Sequence, residues 1–151
     1  FLDSLQSFQE AADAARTYLI DNYRQYPFMY AKAYRRIFDR LLADDRIVIH
    51  CTAGKDRAGM ASAMVLTALG VSKDVVLSDY LLTNEYWDRG GRERPDMDAD
   101  TVAMIFAARE EYFDAAFAGI GERYESLDEY LTAEVGLTAT DRARLREMYL
   151  E

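Results

Sequence analysis

Apolar residues recur at helical spacing through most of this chain, and the elements follow from where that spacing starts and stops. Leu5, Phe8, Ala12, Ala15, Leu19 and Tyr23 form one stripe and predict a helix over roughly Asp3 to Asn22. Gln25-Tyr26-Pro27 reads as a break, with Pro27 suited to the first turn of a new helix. That helix runs from Phe28 to Leu42 on Met29, Ala33, Ile37 and Leu41, and Asp44-Asp45 ends it. After the segment Arg46 to His50, helices are predicted over Arg57–Leu69 with Gly70 as cap, Lys73–Trp87 and Asp98–Phe117. Asp88 to Met97, with Gly90-Gly91 and Pro95, reads as a solvated loop. Ser126 with Glu129 is a capping box and Thr138 with Asp141 a weaker acidic variant. They open helices over Leu127–Glu134 and Ala139–Leu150.

Arg46 to His50 breaks the helical rhythm. Ile47-Val48-Ile49 is β-branched, too short for a helix, and followed at once by loop residues, so it predicts a buried strand. An isolated buried strand leaves two rows of backbone groups unpaired. The expected fold is therefore α/β. This chain supplies the central strand and mostly helices, and the remaining strands come from an N-terminal segment on another fragment or chain. Residues 1–151 then form the C-terminal part of a single domain. The opening Phe1 fits a trimmed or processed chain.

Composition narrows the partners. At 151 residues with 50% hydrophobic and 30% charged side chains, the chain fits one folded domain. A net charge of -9 argues against nucleic acid, whose binders need a basic stripe. The longest apolar run, Ala58 to Val71, falls short of the roughly 20 residues that span a bilayer. One cysteine excludes an internal disulfide and any multi-cysteine zinc site. It fits a reducing compartment: the cytoplasm or, for a secreted bacterial effector, the reducing interior in which it acts.

In an acidic chain, a phosphate site must concentrate its positive field locally, and one segment can do so. His50-Cys51-Thr52-Ala53-Gly54-Lys55-Asp56-Arg57-Ala58-Gly59 lies between the expected strand and a helix start. Successive N–H groups over Thr52, Ala53, Gly54, Lys55, Asp56, Arg57 and Ala58 make an anion nest, and the helix dipole adds to it. Gly54 permits a left-handed turn and Gly59 a close backbone approach. Arg57 presents a planar fork to two phosphate oxygens. The same field favours the Cys51 thiolate as nucleophile, with His50 tuning it. Asp56 is the visible general acid, and Lys55 adds charge at the rim where it can select acidic or multiply phosphorylated substrates. No metal or other cofactor is needed.

This loop resembles the HCxxGKDR(T/S)G loop of the atypical bacterial and fungal protein tyrosine phosphatases. That family includes secreted mycobacterial and Listeria virulence phosphatases acting on phosphoproteins and phosphoinositides. Met29-Tyr30-Ala31-Lys32-Ala33-Tyr34, Phe38-Asp39-Arg40-Leu41, Leu69-Gly70-Val71, Ser78-Asp79-Tyr80-Leu81, Tyr130-Leu131 and Gly136-Leu137-Thr138 extend the likeness. The resemblance implies a three-layer cysteine-phosphatase fold, a nucleophilic role for Cys51 and phosphate binding by Arg57. It also implies an N-terminal half carrying sheet strands and a further acidic candidate for acid catalysis. The sequence departs from the pattern at Ala58, where the family carries Thr or Ser. A hydroxyl there would help release the thiolate, so hydrolysis of the intermediate is expected to be slow.

Plainer readings stand beside these. A lone cysteine is commonly a small core hydrophobe, but the spacing to Gly54 and Arg57 favours the nucleophile. Asp56 acts as the acid or braces the loop; Lys55 contacts substrate or is a solvated charge. Tyr26, Tyr30 and Tyr34 read as packing residues. The expected function is phosphotyrosine-protein hydrolysis through a cysteinyl-phosphate, with phosphoinositide or small phosphate monoesters as the alternative substrates. A phosphate-binding pseudophosphatase ranks below both, and sulfur transfer fits Lys55, Asp56 and Arg57 less well than phosphate.

Overall fold

Helical periodicity dominates the molecule as it does the sequence. The computed structural model describes residues 2–87 and 97–150, and among these all regular structure is helical. The order is α1 (Leu2–Met29), α2 (Ala31–Leu42), α3 (Asp56–Leu69), α4 (Lys73–Leu81), α5 (Thr83–Tyr86), α6 (Ala99–Phe106), α7 (Glu110–Gly121), α8 (Leu127–Ala133) and α9 (Ala139–Tyr149). The sequence-predicted loop Asp88–Met97 lies, but for Met97, outside the described residues.

The predicted strand is absent, which corrects the α/β expectation. Residues 45–51 run without regular structure. Val48 is 86% exposed, while Ile47 and Ile49 are half-buried. A β-branched run becomes a strand only when another segment takes up its N–H and C=O groups. No described segment does so here. The three-layer sheet fold, the catalytic central strand and the inference of further strands drawn from it give way to an arrangement that is all-helical among the described residues.

Two helix boundaries also moved. The break predicted at Gln25–Pro27 falls instead at Tyr30. Pro27 sits inside the last turn of α1, where its missing N–H forfeits a single helical bond two residues before the end. The long helix predicted over Asp98–Phe117 is two helices, separated at Ala107–Arg109 in extended backbone. The Asn84 side chain imposes that break: it donates to Ala108 O at 2.7 Å and accepts from Ala108 N at 2.7 Å. The C-terminal caps reverse their expected ranks. Thr138 and Asp141 form the reciprocal capping box. Ser126 caps Glu129 N, but Glu129 reaches back to Glu125 N instead of Ser126.

α3 runs through the centre of the core. Its Met60 and Met64 are fully buried, and Ala58, Ala61, Ala63 and Ala68 keep its surface narrow. Tyr23, Tyr34, Phe38, Tyr80, Tyr112, Phe113 and Tyr130 fill the space around it. Gly70 ends α3 at φ 92°, with Gly70 N bonded to Thr67 O and Val71 N to Leu66 O, the paired bonds of a Schellman cap. α1 packs along α6 and α7. A Cβ on Gly119 would stand 2.3 Å from Arg24 O, so only glycine allows α7 to approach α1 this closely. This packing sets Tyr23 of α1 against the first turn of α3, where the loop ends.

Candidate active site

The loop from His50 to Lys55 enters α3 at its N-terminus, so the first turn of α3 and the preceding amides face the same space. Gly54 takes φ 80°, the left-handed conformation that its lack of Cβ makes inexpensive. This curls the chain so that Gly54 N approaches Cys51 Sγ at 3.3 Å. Burial alone would push the Cys51 thiol up. The backbone N–H groups of Ala58, Gly54 and Ala53, together with the Arg57 charge, outweigh it and hold the thiol below its ordinary value. The arrangement thus favours a thiolate at the floor of an amide cradle.

Arg57 is exposed beside the cradle. Its Nη2 donates to Thr52 Oγ1 at 3.0 Å, which spans the loop and fixes the guanidinium on the same side as Cys51. Ala53 and Ala58 contribute backbone, not side-chain polarity, and Ala58 is buried at the start of α3. A Cβ on Gly59 would press on the Tyr80 ring at 3.1 Å, which accounts for a glycine at this turn. His50 is exposed; it lines a groove of about 360 Å³ with Ala33, Arg36, Ile37, Arg40 and Val48. A smaller cavity of about 230 Å³ adjoins Cys51 and Arg57, with Tyr30, Tyr34, Ile37 and Ile49 among its walls.

Lys55 and Asp56 are oriented by partners far along the chain. Lys55 is 2% exposed. Its Nζ donates to Ile105 O at 2.8 Å and Ala107 O at 3.3 Å, and pairs with Asp56 Oδ1 at 2.8 Å. All three ammonium protons therefore have acceptors. Two of these acceptors lie at the C-terminal end of α6, where a cation offsets the helix dipole. The structure places the Lys55 side chain inward, behind the loop, and not at its rim. Asp56, the first residue of α3, keeps its carboxylate partly exposed and takes a second hydrogen bond on Oδ1, from Tyr23 Oη at 2.6 Å. Tyr23 Oη in turn lies 2.7 Å from Tyr80 Oη.

Cys51, Thr52, Gly54, Arg57 and the Ala58 amide are thus gathered around one point, with Asp56 in the turn between them. Tyr23, Tyr80 and Asn84 were not legible as parts of the site. Tyr23 belongs to the apolar stripe of α1, and nothing in the spacing distinguishes a tyrosine that packs from one whose hydroxyl meets a carboxylate 33 residues on. No group of three or more His, Cys, Asp or Glu side chains suited to a metal occurs among the described residues. No helix among them is long and apolar enough to cross a membrane.

Comparison with known proteins places the chain in a family. Residues 2–151 match the family profile described as the tyrosine phosphatase family. The chain belongs to that family. It is 34% identical to the triple specificity protein phosphatase PtpB of Mycobacterium tuberculosis, over 98% of this chain and 60% of the relative. It is 29% identical to a Cupriavidus necator protein carrying a tyrosine-protein phosphatase name, over 88% of this chain and 50% of that protein. A Nostoc commune tyrosine-protein phosphatase matches at 34% identity over 35% of this chain and 19% of its own length. The chain thus spans between half and three fifths of the first two relatives.

Proposed function

We propose that the chain hydrolyses phosphate monoesters through a cysteinyl-phosphate on Cys51, and that its substrates extend beyond phosphotyrosine proteins to phosphoinositides or small phosphate esters. One observation carries the chemistry: a cysteine held toward its thiolate by three loop amides and an arginine that flanks the same cradle. In the first step the Cys51 sulfur attacks phosphorus, the S–P bond forms and the P–O bond to the leaving group breaks. Asp56 gives its proton to the departing oxygen. In the second step a water oxygen attacks phosphorus, the S–P bond breaks, and Asp56 takes the proton back. Arg57 and the amides of Thr52 to Ala58 hold the equatorial oxygens through both steps. Lys55 adds its charge to the cradle from the inner side.

The wider substrate range rests on the shape of the cradle. Thr52, Gly54 and Arg57 are exposed and Cys51 is only half-buried, so the thiol sits in a shallow site. A shallow site does not select the long phenolic arm of phosphotyrosine over shorter phosphate esters. The M. tuberculosis relative, named for triple specificity, fits the same reading. A working thiolate requires a reducing compartment, the cytoplasm or the interior reached by a secreted effector.

Hydrolysis of a phosphotyrosine peptide, a phosphoserine peptide and a soluble phosphoinositide, each with a Cys51→Ser control, tests the proposal. Turnover of the phosphoinositide and at least one peptide, lost in Cys51→Ser, is expected. Turnover of phosphotyrosine alone would overturn the broad range, and activity retained in Cys51→Ser would overturn the nucleophile.

A further inference from the structure

The Asp56 carboxylate has an asymmetry that the proposed reaction leaves unexplained. Both of its described bonds, from Tyr23 Oη and Lys55 Nζ, end on Oδ1. Oδ2 takes neither. Tyr23 is fully buried and Tyr80 nearly so, and their hydroxyls meet at 2.7 Å in the core. The two hydroxyls form a directed chain: Tyr80 O–H to Tyr23 Oη, Tyr23 O–H to Asp56 Oδ1. Tyr23 commits its single proton to Asp56 Oδ1, so Tyr80 is the donor between the two phenols.

Burying two phenols and linking them in series has an energetic cost unless every hydroxyl is satisfied. Packing alone would be served by phenylalanine at both positions, since the rings already lie tilted against Tyr112 and Phe113. The hydroxyls add one thing to that packing, a fixed direction for Asp56. Burial, with the neighbouring Tyr80 and Asp56, holds the Tyr23 phenol far above the usual tyrosine range, so it remains a donor at every working pH.

We infer that Tyr23, backed by Tyr80, is a positioning residue that locks Asp56 Oδ1 against the core and leaves Oδ2 as the oxygen that exchanges the proton with the leaving group. The inference rests on the proposed acid role of Asp56. It makes no new bond to substrate: the proton still moves from Asp56 Oδ2 to the leaving oxygen and returns from water. Without Tyr23 the carboxylate rotates among conformers and is misaligned in a larger share of encounters. The penalty falls on leaving groups that need the proton and spares those that do not.

That selectivity supplies the test. Rates are measured for the full chain on a series of phosphate esters, from p-nitrophenyl through phenyl to alkyl. Wild type, Asp56→Asn, Tyr23→Phe, Tyr80→Phe and the remote control Tyr124→Phe are compared. Tyr23→Phe should slow the alkyl ester about tenfold, part of the ~10²–10⁴ that a whole general acid contributes, while p-nitrophenyl phosphate changes little. Tyr80→Phe should steepen the dependence on leaving group less, and Tyr124→Phe not at all. A Tyr23→Phe slope equal to wild type, with Asp56→Asn steep, overturns the positioning role and leaves Asp56 as the acid. A flat Asp56→Asn slope overturns the acid assignment itself, and the inference with it. A measurement independent of turnover uses carboxyl-13C aspartate. The Asp56 resonance should shift in Tyr23→Phe and stay in place in Tyr124→Phe, and an unmoved resonance in Tyr23→Phe contradicts the contact.

Discussion

At Cys51 two effects of opposite sign meet, and their balance sets the working pH. Partial burial disfavours the charged sulfur; the amides of Ala58, Gly54 and Ala53 and the Arg57 charge favour it by more. The folded-state pKa is therefore depressed below that of the unfolded chain. For such a group the thiolate, and the stability it carries, is present above the unfolded value and lost as pH falls through the lowered folded value. Alkylation of Cys51 by iodoacetamide, followed against pH, should have its midpoint below the ~8.5 of a free thiol and return to that value in denaturant. Arg57→Ala should raise the folded midpoint. A native midpoint at or above the denatured one would contradict the balance described. Ala58 adds an amide to the sulfur and no hydroxyl, so this cradle stabilises the thiolate without an additional side-chain donor at that position.

Among the elements, the junction of loop, α5 and α6 controls the site. Lys55 joins the loop to the end of α6, and Asn84 joins α5 to Ala108. A Lys55→Met variant keeps the stem of the side chain but leaves Ile105 O and Ala107 O without a donor and Asp56 without its cation. Breaking such a buried pair costs about 3 kcal/mol, somewhat less where one partner is partly exposed as Asp56 is. Thermal unfolding should show a loss of several degrees. An unchanged midpoint would mean that Lys55 is a solvated rim charge, as one sequence reading allowed.

The same junction marks where the sequence stops being legible. Local signals were sound where the cause is local: Gly70 ends α3, Gly54 turns left-handed, and Thr138 and Ser126 start helices. The break between α6 and α7 escaped because its cause, Asn84, lies 24 residues away while the apolar stripe runs on through it. Ile47–Ile49 misled for a related reason. β-branching records compatibility with an extended backbone, but a strand also requires a partner, which the segment's own letters cannot report. Pro27 was overweighted: near the C-terminal end of α1 its missing bond matters little. Within the loop, residue identity and spacing located Cys51, Arg57 and Thr52 together, but not which way Lys55 faces.

Over the whole molecule, a net charge of -9 surrounds the proposed phosphate site. The contradiction is resolved by distance: loop amides and Arg57 act within a few ångströms, whereas solvent and salt screen the acidic surface beyond roughly 10 Å. Substrates should therefore be chosen by contacts at the cradle and not by long-range attraction. The helical frame of the described residues serves this by fixing α3, with α1 and α7 locked together at Gly119 and Tyr23 carried against the loop from behind. The covalent step at Cys51 is the claim on which the rest depends. The most direct measurement is a rapid acid quench of the full chain with 32P-labelled substrate, followed by peptide mapping. Label on the Cys51 peptide, accumulating as a burst because Ala58 lacks the hydroxyl that would speed its release, is the expected result, with a smaller burst in Ala58→Ser. Product formed with no label on Cys51 at any quench time would contradict it.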